Sequence, residues 1–337
     1  MKRFLRRERT KEMRWLFLRS AHRTSGYTDP PDRDLDPRSD MWIALFAELV
    51  RASGGCGEIW KQGWRYTHDV NINLRIVRYE TLGEAAGFEP DVIFNRGGYT
   101  AYEGVLAANP EATTIYYGAG ERWCPTRRYD LILVDTPAQR AEAAARWPDS
   151  RVIIMHKPAS PVFKPRIAVG TEYDLIFICD STAENKGCKW LADRLPADMK
   201  LLKIGPADKW LHAEFCTGSL PRHCVADYAG RAKVGVVCDD GMHDSGPRVL
   251  SELLAMNIPV IVRECVRADL DFLITPQTGV IANDKNFAEK LRELLADSDA
   301  MKPRRFYDRN LSIERCAQKI LENLKCQCRN KLEPARA

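Results

Sequence analysis

Short apolar runs alternate with segments of helical period along most of the chain. Trp15–Arg19, Leu74–Arg78, Asp91–Phe94, Thr113–Tyr117, Asp130–Val134 and Arg151–Met155 are rich in β-branched, aromatic and leucine side chains, and each predicts a buried strand. Between them, Met41–Val50, Ala101–Ala108 and Pro137–Arg146 carry apolar residues at helical spacing. A proline-bearing stretch, Lys157–Pro165, then reads as a connection between domains. The alternation restarts after it. Tyr173–Cys179, Lys200–Ile204, Lys233–Cys238, Pro259–Val262 and Gly279–Ile281 predict strands; Lys186–Arg194, Arg222–Ala229, Lys285–Ala296 and Ser312–Lys325 predict helices. Two successive strand–helix arrays imply an α/β protein with two parallel-sheet domains.

Composition narrows the class. The 337 residues are 45% hydrophobic and 29% charged, which describes a globular chain long enough for two cores. No apolar run approaches the ~18 to 20 residues of a spanning helix. The apolar run behind the N-terminus, Trp15–Leu18, is too short for a signal-peptide core. Eleven cysteines are scattered without zinc-like spacing, and free thiols in a reducing cytoplasm are the simplest account. The net charge is +5, and the first fourteen residues hold seven Lys or Arg against two Glu. Residues 1–14 therefore read as a basic leader, either a solvated tail or a contact for an anionic membrane surface or nucleic acid.

The candidate chemistry lies in the second array. Lys233–Cys238 leads into a loop holding Gly241 and Gly246, then a helix starting at Pro247, with Val249, Leu250, Leu253 and Leu254 on one face. Pro247 suits the first helical position, and Ser245 or Asp244 is positioned to cap it. Asn257 and Pro259 stop the helix before the strand that follows. A helix N-terminus behind a glycine loop attracts phosphate. Two acids, Asp244 and Glu252, bracket it, and a carboxylate accepts two hydroxyl hydrogen bonds. Read alone, the same pattern also fits an ordinary capped helix of any α/β protein.

This acid–seven residues–Glu pattern with a Pro-Val strand behind it resembles the retaining glycosyltransferases of the GT-B type, the large "glycosyl transferases group 1" family. Further landmarks occur in the same order: Pro90-Asp91, Tyr129–Ala138, Val152–Pro165, Lys186-Gly187 and Phe215–Pro221. The resemblance implies two facing Rossmann-like domains (GT-B), spanning 15–164 and 165–310, with a C-terminal helix and tail, 311–337, packing back on the N-terminal domain. It implies a nucleoside diphosphate sugar as co-substrate, with no cofactor or divalent metal required. Asp244, Lys186 and Glu252 would be catalytic. Gly187, Thr217, Gly218, His243, Ser245, Gly246, Pro247 and Arg248 would bind the donor, and Arg96, Gly97, Tyr117 and Gly118 would face the acceptor.

Some positions depart from the family. Asp244 stands where Glu is usual. Asp180-Ser181-Thr182 replaces the Arg that normally precedes Lys186, and Arg248 offers a bidentate substitute. The stretch Ser20–Gly26 has one glycine, and Ile115–Gly120 lacks the cleft His, leaving Tyr117 or its neighbours there. Asp32, Asp34 and Asp36 lie in a proline-bearing loop, a poor context for a catalytic metal. The expectation is a cytoplasmic hexosyl- or pentosyltransferase acting on a glycan, a lipid-linked glycan, another hydroxyl acceptor or nucleic acid. The alternatives are an epimerase of the same fold, or a non-catalytic nucleotide-sugar or polymer-binding protein.

Overall fold

The computed structural model describes residues 12–19, 40–61, 68–71, 73–77, 84, 87–97, 102–118, 123–165, 170–179, 184–211, 213, 215–241 and 246–332. The first half contains β1 Arg14–Arg19, α1 Met41–Ser53, β2 Cys56–Lys61, β3 His68–Asn71, β4 Leu74–Val77, β5 Val92–Arg96, α2 Glu103–Ala108, β6 Thr113–Tyr117, β7 Leu131–Val134, α3 Pro137–Arg146 and β8 Arg151–Ile154. Its eight strands are ordered β3-β4-β2-β1-β5-β6-β7-β8. Every pairing is parallel except the edge pair β3–β4.

Burial on both faces explains the continuous apolar runs. Phe17, Phe94, Ile115 and Leu131 meet α1 on one face. Leu16, Ile93, Tyr116 and Ile132 pack with Val105, Leu106 and Ala143 on the other. Asp40 caps α1 by accepting from the amides of Trp42 and Ile43, at 2.8 and 3.2 Å. The strands β2 and β3 were not anticipated. Gly54, Gly55 and Gly57 give the approach to β2 the look of a turn, and β3 is an antiparallel edge with a register shift.

The second half contains β9 Tyr173–Ile178, a 3₁₀ turn Glu184–Lys186, α4 Cys188–Ala192, β10 Leu201–Ile204, β11 Phe215–Cys216, α5 Arg222–Ala229, β12 Ala232–Val237, α6 Arg248–Ala255, β13 Val260–Arg263, α7 Leu270–Leu273, β14 Gly279–Ala282, α8 Phe287–Asp297, α9 Pro303–Asn310 and α10 Ile313–Leu332. Its six-stranded sheet runs β11-β10-β9-β12-β13-β14, all parallel. The expected helix over Lys186–Arg194 is broken at Gly187, whose φ of +80° is left-handed. The start of α6 also shifts by one residue: Pro247 is the cap and Arg248 the first helical position.

α10 returns to the first sheet, where Cys316, Ala317, Ile320 and Leu324 complete the core against α1. The fold is thus two Rossmann-like α/β layers with the C-terminal helix packed on the first. The connection at Lys157–Pro165 is embedded rather than solvated. Lys157, Ala159, Ser160 and Phe163 are buried, and the Ala159 amide donates to the Tyr307 hydroxyl at 3.2 Å.

Candidate active site

Parallel sheets carry their sites at the C-terminal ends of their strands. On the second sheet, β9 and β12 are neighbours, so the segments leaving them lie side by side. The Asp240 amide donates to the Asn185 carbonyl at 2.9 Å and ties the two segments together. Gly187 packs so closely on this joint that a Cβ there would lie 2.0 Å from the Cys238 carbonyl oxygen. Lys186 is half-buried beside it. At the next edge, Thr217 and Gly218 follow β11, where the Thr217 amide donates to the Lys203 carbonyl at 3.1 Å and the Gly205 amide to the Gly218 carbonyl at 3.0 Å.

Glu252 lies one turn along α6, 8% exposed, with Oε1 3.5 Å from an Arg222 guanidinium nitrogen. That Arg opens the helix after the Thr217–Gly218 segment, so α5 and α6 present an acid–cation pair beside it. Lys186, Gly187, Gly246, Pro247 and Arg248 therefore follow adjacent strands, with Thr217, Gly218 and Glu252 flanking them. His243, Asp244 and Ser245 lie outside the described residues, as do residues 1–11, the stretch Ser20–Gly26 and the acids Asp32, Asp34 and Asp36.

The Gly246 amide has a different role from the expected one. It donates to the Arg267 carbonyl at 2.7 Å, so this N–H is committed to protein and does not face a phosphate. The residue itself is required twice over. Its φ is +60°, and a Cβ would sit 3.0 Å from the Asp135 carboxylate. The mouth of α6 thus lies against the first sheet.

On that sheet, one row of residues in register ends three adjacent strands: Arg19 on β1, Arg96 on β5 and Tyr117 on β6. Their side chains share a face, above Phe17, Phe94 and Ile115 one layer below. Arg19 pairs with Asp40 at 2.7 Å. Burial raises the pKa of Asp40, but the Arg19 charge, its hydrogen bond and the Ile43 amide outweigh it and hold the carboxyl below its ordinary value. Arg96 lies 4.7 Å over the Trp42 ring. Its guanidinium is pushed down to about 9, first by burial and then by repulsion from Arg19, with Arg248 adding to it from the second half of the chain.

Tyr117 is 1% exposed, its ring 4.8 Å from that of Trp42 and its hydroxyl 2.9 Å from Asp135 Oδ1. It therefore closes the core below the site instead of lining an open cleft. Gly97 follows with φ +93° and donates to the Tyr117 carbonyl at 2.9 Å; Gly118 is buried beside it. Sequence reasoning missed Arg19 and Asp40, and with them two residues that follow strands of this sheet. Asp135 follows β7, 2% exposed, and sits 3.5 Å from Lys157 Nζ, which in turn donates to the Gly246 carbonyl at 2.8 Å. A signal was present for both: an acid directly after a buried strand, and a lysine three residues beyond the last strand of the first sheet.

Among the described residues no cluster of His, Cys, Asp and Glu is arranged to hold a metal ion, and no helix is long and apolar enough to cross a membrane.

Neither a protein-family profile nor a curated protein sequence matches the chain. Solved structures do. A sucrose-phosphate synthase from Thermosynechococcus elongatus superposes with a TM-score of 0.67 at 14% identity, over 95% of this chain and all of that one. AviGT4, a glycosyltransferase involved in avilamycin A biosynthesis, gives 0.65 at 16% identity, over 93% and 97% of the two chains. HepE from Anabaena, solved in complex with UDP, gives 0.62 at 10% identity, over 93% and 100%. The architecture, with its two largely parallel α/β sheets and returning C-terminal helix, is the GT-B fold of these glycosyltransferases.

Proposed function

We propose that the chain is a glycosyltransferase that moves a sugar from a nucleoside diphosphate sugar to an acceptor hydroxyl. The observation that carries this reading is the apposition of the α6 mouth to the C-terminal edge of the first sheet, at Gly246 and Asp135. A diphosphate at that mouth would have its attached sugar at the boundary between the two sheets. An acceptor entering from the first sheet would meet it there. The solved neighbours of the same fold include a HepE complex with UDP-glucose, which supports this donor class.

In this reading Lys186 and Arg248 stabilise charge growing on the leaving diphosphate. Glu252, held beside Arg222, takes the ribose, and Asp244 takes sugar hydroxyls. Thr217 and Gly218 flank the base. Asp135 and Lys157 fix the donor loop against the first sheet. Transfer with retention and without a divalent metal follows from the family resemblance, and the sugar is a hexose or a pentose. In this reading the domains divide at 164/165, within the connection that carries Lys157. A reducing, cytoplasmic setting accords with the nine cysteines whose side chains are described, all free thiols.

The test begins with thermal melts against UDP and the other nucleoside diphosphates. A ligand that binds only the native state adds about 2.7 kcal/mol of apparent stability at 100 times its Kd. Transfer from the matching nucleotide sugar is then measured for the wild type, Asp244→Ala and Glu252→Ala. Loss of turnover in both folded variants supports the site; full activity in both discards it. A second reading, a non-catalytic binding protein, is favoured by Tyr117, whose hydroxyl is engaged by Asp135 where the family often has a cleft His. Tight donor binding without turnover on any acceptor would select it.

A further inference from the structure

We propose that Lys203 is a positioning residue for the donor: its buried side chain and its carbonyl fix the Lys186–Gly187 segment and the Thr217–Gly218 segment at the spacing that a nucleoside diphosphate spans. This deepens the transferase reading and rests on it for the identity of the donor.

Lys203 lies on β10, between β9, which leads to Lys186, and β11, which leads to Thr217. Its register partners are Phe177 on one side and Cys216 on the other. A lysine breaks the pattern of this strand. Leu201, Leu202 and Ile204 around it are apolar and buried, and Lys203 itself is 1% exposed. Burying an ammonium is costly unless it is paired. The pairing is with Asp208, on the segment that follows β10.

The contacts of this residue run both ways along the sheet. Toward β11, the Lys203 carbonyl accepts from the Thr217 amide at 3.1 Å. Toward β9, Lys203 Nζ lies 4.0 Å from Cys188 Sγ, and the Cys188 thiol hydrogen-bonds the Asp208 carboxylate. Cys188 opens α4 directly after Gly187. Gly187 has no slack there, since a Cβ on it would lie 2.0 Å from the Cys238 carbonyl oxygen. Asp208 also accepts from the Trp210 and Leu211 amides, both at 2.8 Å, so the turn after β10 is pinned to the same point. The backbone of Lys203 thus holds the segment assigned to the base, and its side chain holds the start of the helix behind the segment assigned to the diphosphate.

Stability gives no reason for a charge in this place. An apolar pair of similar volume is often as stable as a buried ion pair. What the ion pair adds here is a fixed geometry. A ligand that touches two segments gains affinity from their fixed spacing, because its second contact needs no further ordering. A ligand that touches one segment gains nothing from it.

The experiment measures binding of UDP, uridine and pyrophosphate to the full chain by ligand-observed NMR, well below every melting point. The proteins are the wild type, Lys203→Met and the double variant Lys203→Met/Asp208→Asn. Asparagine keeps an oxygen for the Trp210 and Leu211 amides and removes the unpaired charge. In Lys203→Met, UDP should bind at least tenfold more weakly, while uridine and pyrophosphate each change less than threefold. The double variant should recover at least half of the lost melting temperature without recovering UDP affinity, and it decides if the single variant fails to fold. Equal weakening of all three ligands overturns the proposal, because a general loss of structure accounts for it. Unchanged UDP affinity overturns it too, as does a double variant that recovers UDP affinity together with stability.

Hydrogen exchange of the unliganded proteins reads the same link without a ligand. The Leu191 amide, which donates to the Gly187 carbonyl at 2.9 Å, should exchange at least tenfold faster in both variants. The amides of Thr217 and of Val260, which donates to the Thr278 carbonyl, should keep their rates. An unchanged rate at Leu191 overturns the proposal. Failure of the transferase reading looks different: UDP does not bind the wild type, while the faster exchange at Leu191 remains.

Discussion

Lys157 Nζ donates to the Gly246 carbonyl at 2.8 Å and lies 3.5 Å from an Asp135 carboxylate oxygen, so one buried ammonium joins the connection between the sheets, the end of β7 and the loop before α6. Asp135 also accepts from the Tyr117 hydroxyl. Removing one partner of a buried pair leaves an uncompensated charge, which costs roughly 3–5 kcal/mol. Lys157→Met is therefore expected to destabilise by about that amount, and Asp135→Asn to recover part of the loss when added to it. A double-mutant cycle by chemical denaturation measures the coupling. Because Lys157 holds the donor loop, the single variant should also weaken UDP binding about tenfold. Additive single effects with unchanged UDP affinity would remove Lys157 from the site.

Gly246 tests the close approach of the two halves. Alanine there must adopt a φ of +60° and place a Cβ 3.0 Å from the Asp135 side chain. The left-handed conformation alone costs about 1–2 kcal/mol. The expected outcome for Gly246→Ala is a modest loss of thermal stability together with a larger loss of turnover, because the loop must shift away from the first sheet. Turnover measured at a temperature well below both melting points separates the two effects. Wild-type turnover would show that the donor loop tolerates displacement.

The fold was legible because its core strands are buried on both faces and read as unbroken apolar runs. Trp15–Arg19, Thr113–Tyr117 and Arg151–Met155 agree with β1, β6 and β8 to within a residue at either end. Edge strands lack that signature, and β3, with Asp69 exposed and Val70 partly buried, gave no apolar run to read. On the second sheet, the loop–helix pattern around Gly246 and Glu252 was visible in the residues. The first sheet's contribution was not, since Arg19, Asp40, Asp135 and Lys157 are separated by up to 138 positions in sequence and meet only through strand order β1-β5-β6-β7. Tyr117 was expected to line the cleft; its register puts it beside Arg96 and against Trp42 in the core instead, a placement that only the sheet reveals.

A second buried pair sits away from the boundary between the sheets. Lys203, 1% exposed on β10, pairs with Asp208, whose other oxygen accepts from the amides of Trp210 and Leu211, both at 2.8 Å. Burial raises the Asp208 pKa, but the Lys203 hydrogen bond and these amides outweigh it and pull the carboxyl down to about 2. Lys203→Met should lower the melting temperature by on the order of 10 °C. A folded-state pKa below the unfolded value means that the stabilisation is present above about 3.8 and is lost as pH falls toward 2. The difference in stability between wild type and Lys203→Met should therefore shrink in acid; a difference that stays constant down to pH 2 would assign the effect to packing.

His156 gives the last test, because it meets three parts of the chain at once. Its Nε2 lies 3.1 Å from Asp269, its ring stacks on Phe272 with centroids 4.6 Å apart, and its carbonyl accepts from the Cys316 thiol of α10. Burial lowers the pKa of this imidazole, with the Asp269 carboxylate opposing the shift without reversing it. The native state thus favours the neutral ring, whereas the unfolded chain takes up a proton near pH 6.5. Above that pH the residue leaves stability unchanged. Below it, the unfolded state binds the proton that the native state resists, so stability falls until the native pKa is reached. Thermal melts from pH 7.5 to 5.5 should show a steeper decline for the wild type than for His156→Gln, which packs a neutral amide in the same place. Parallel declines would mean that His156 titrates alike in both states, and that the Asp269 bond fully offsets its burial.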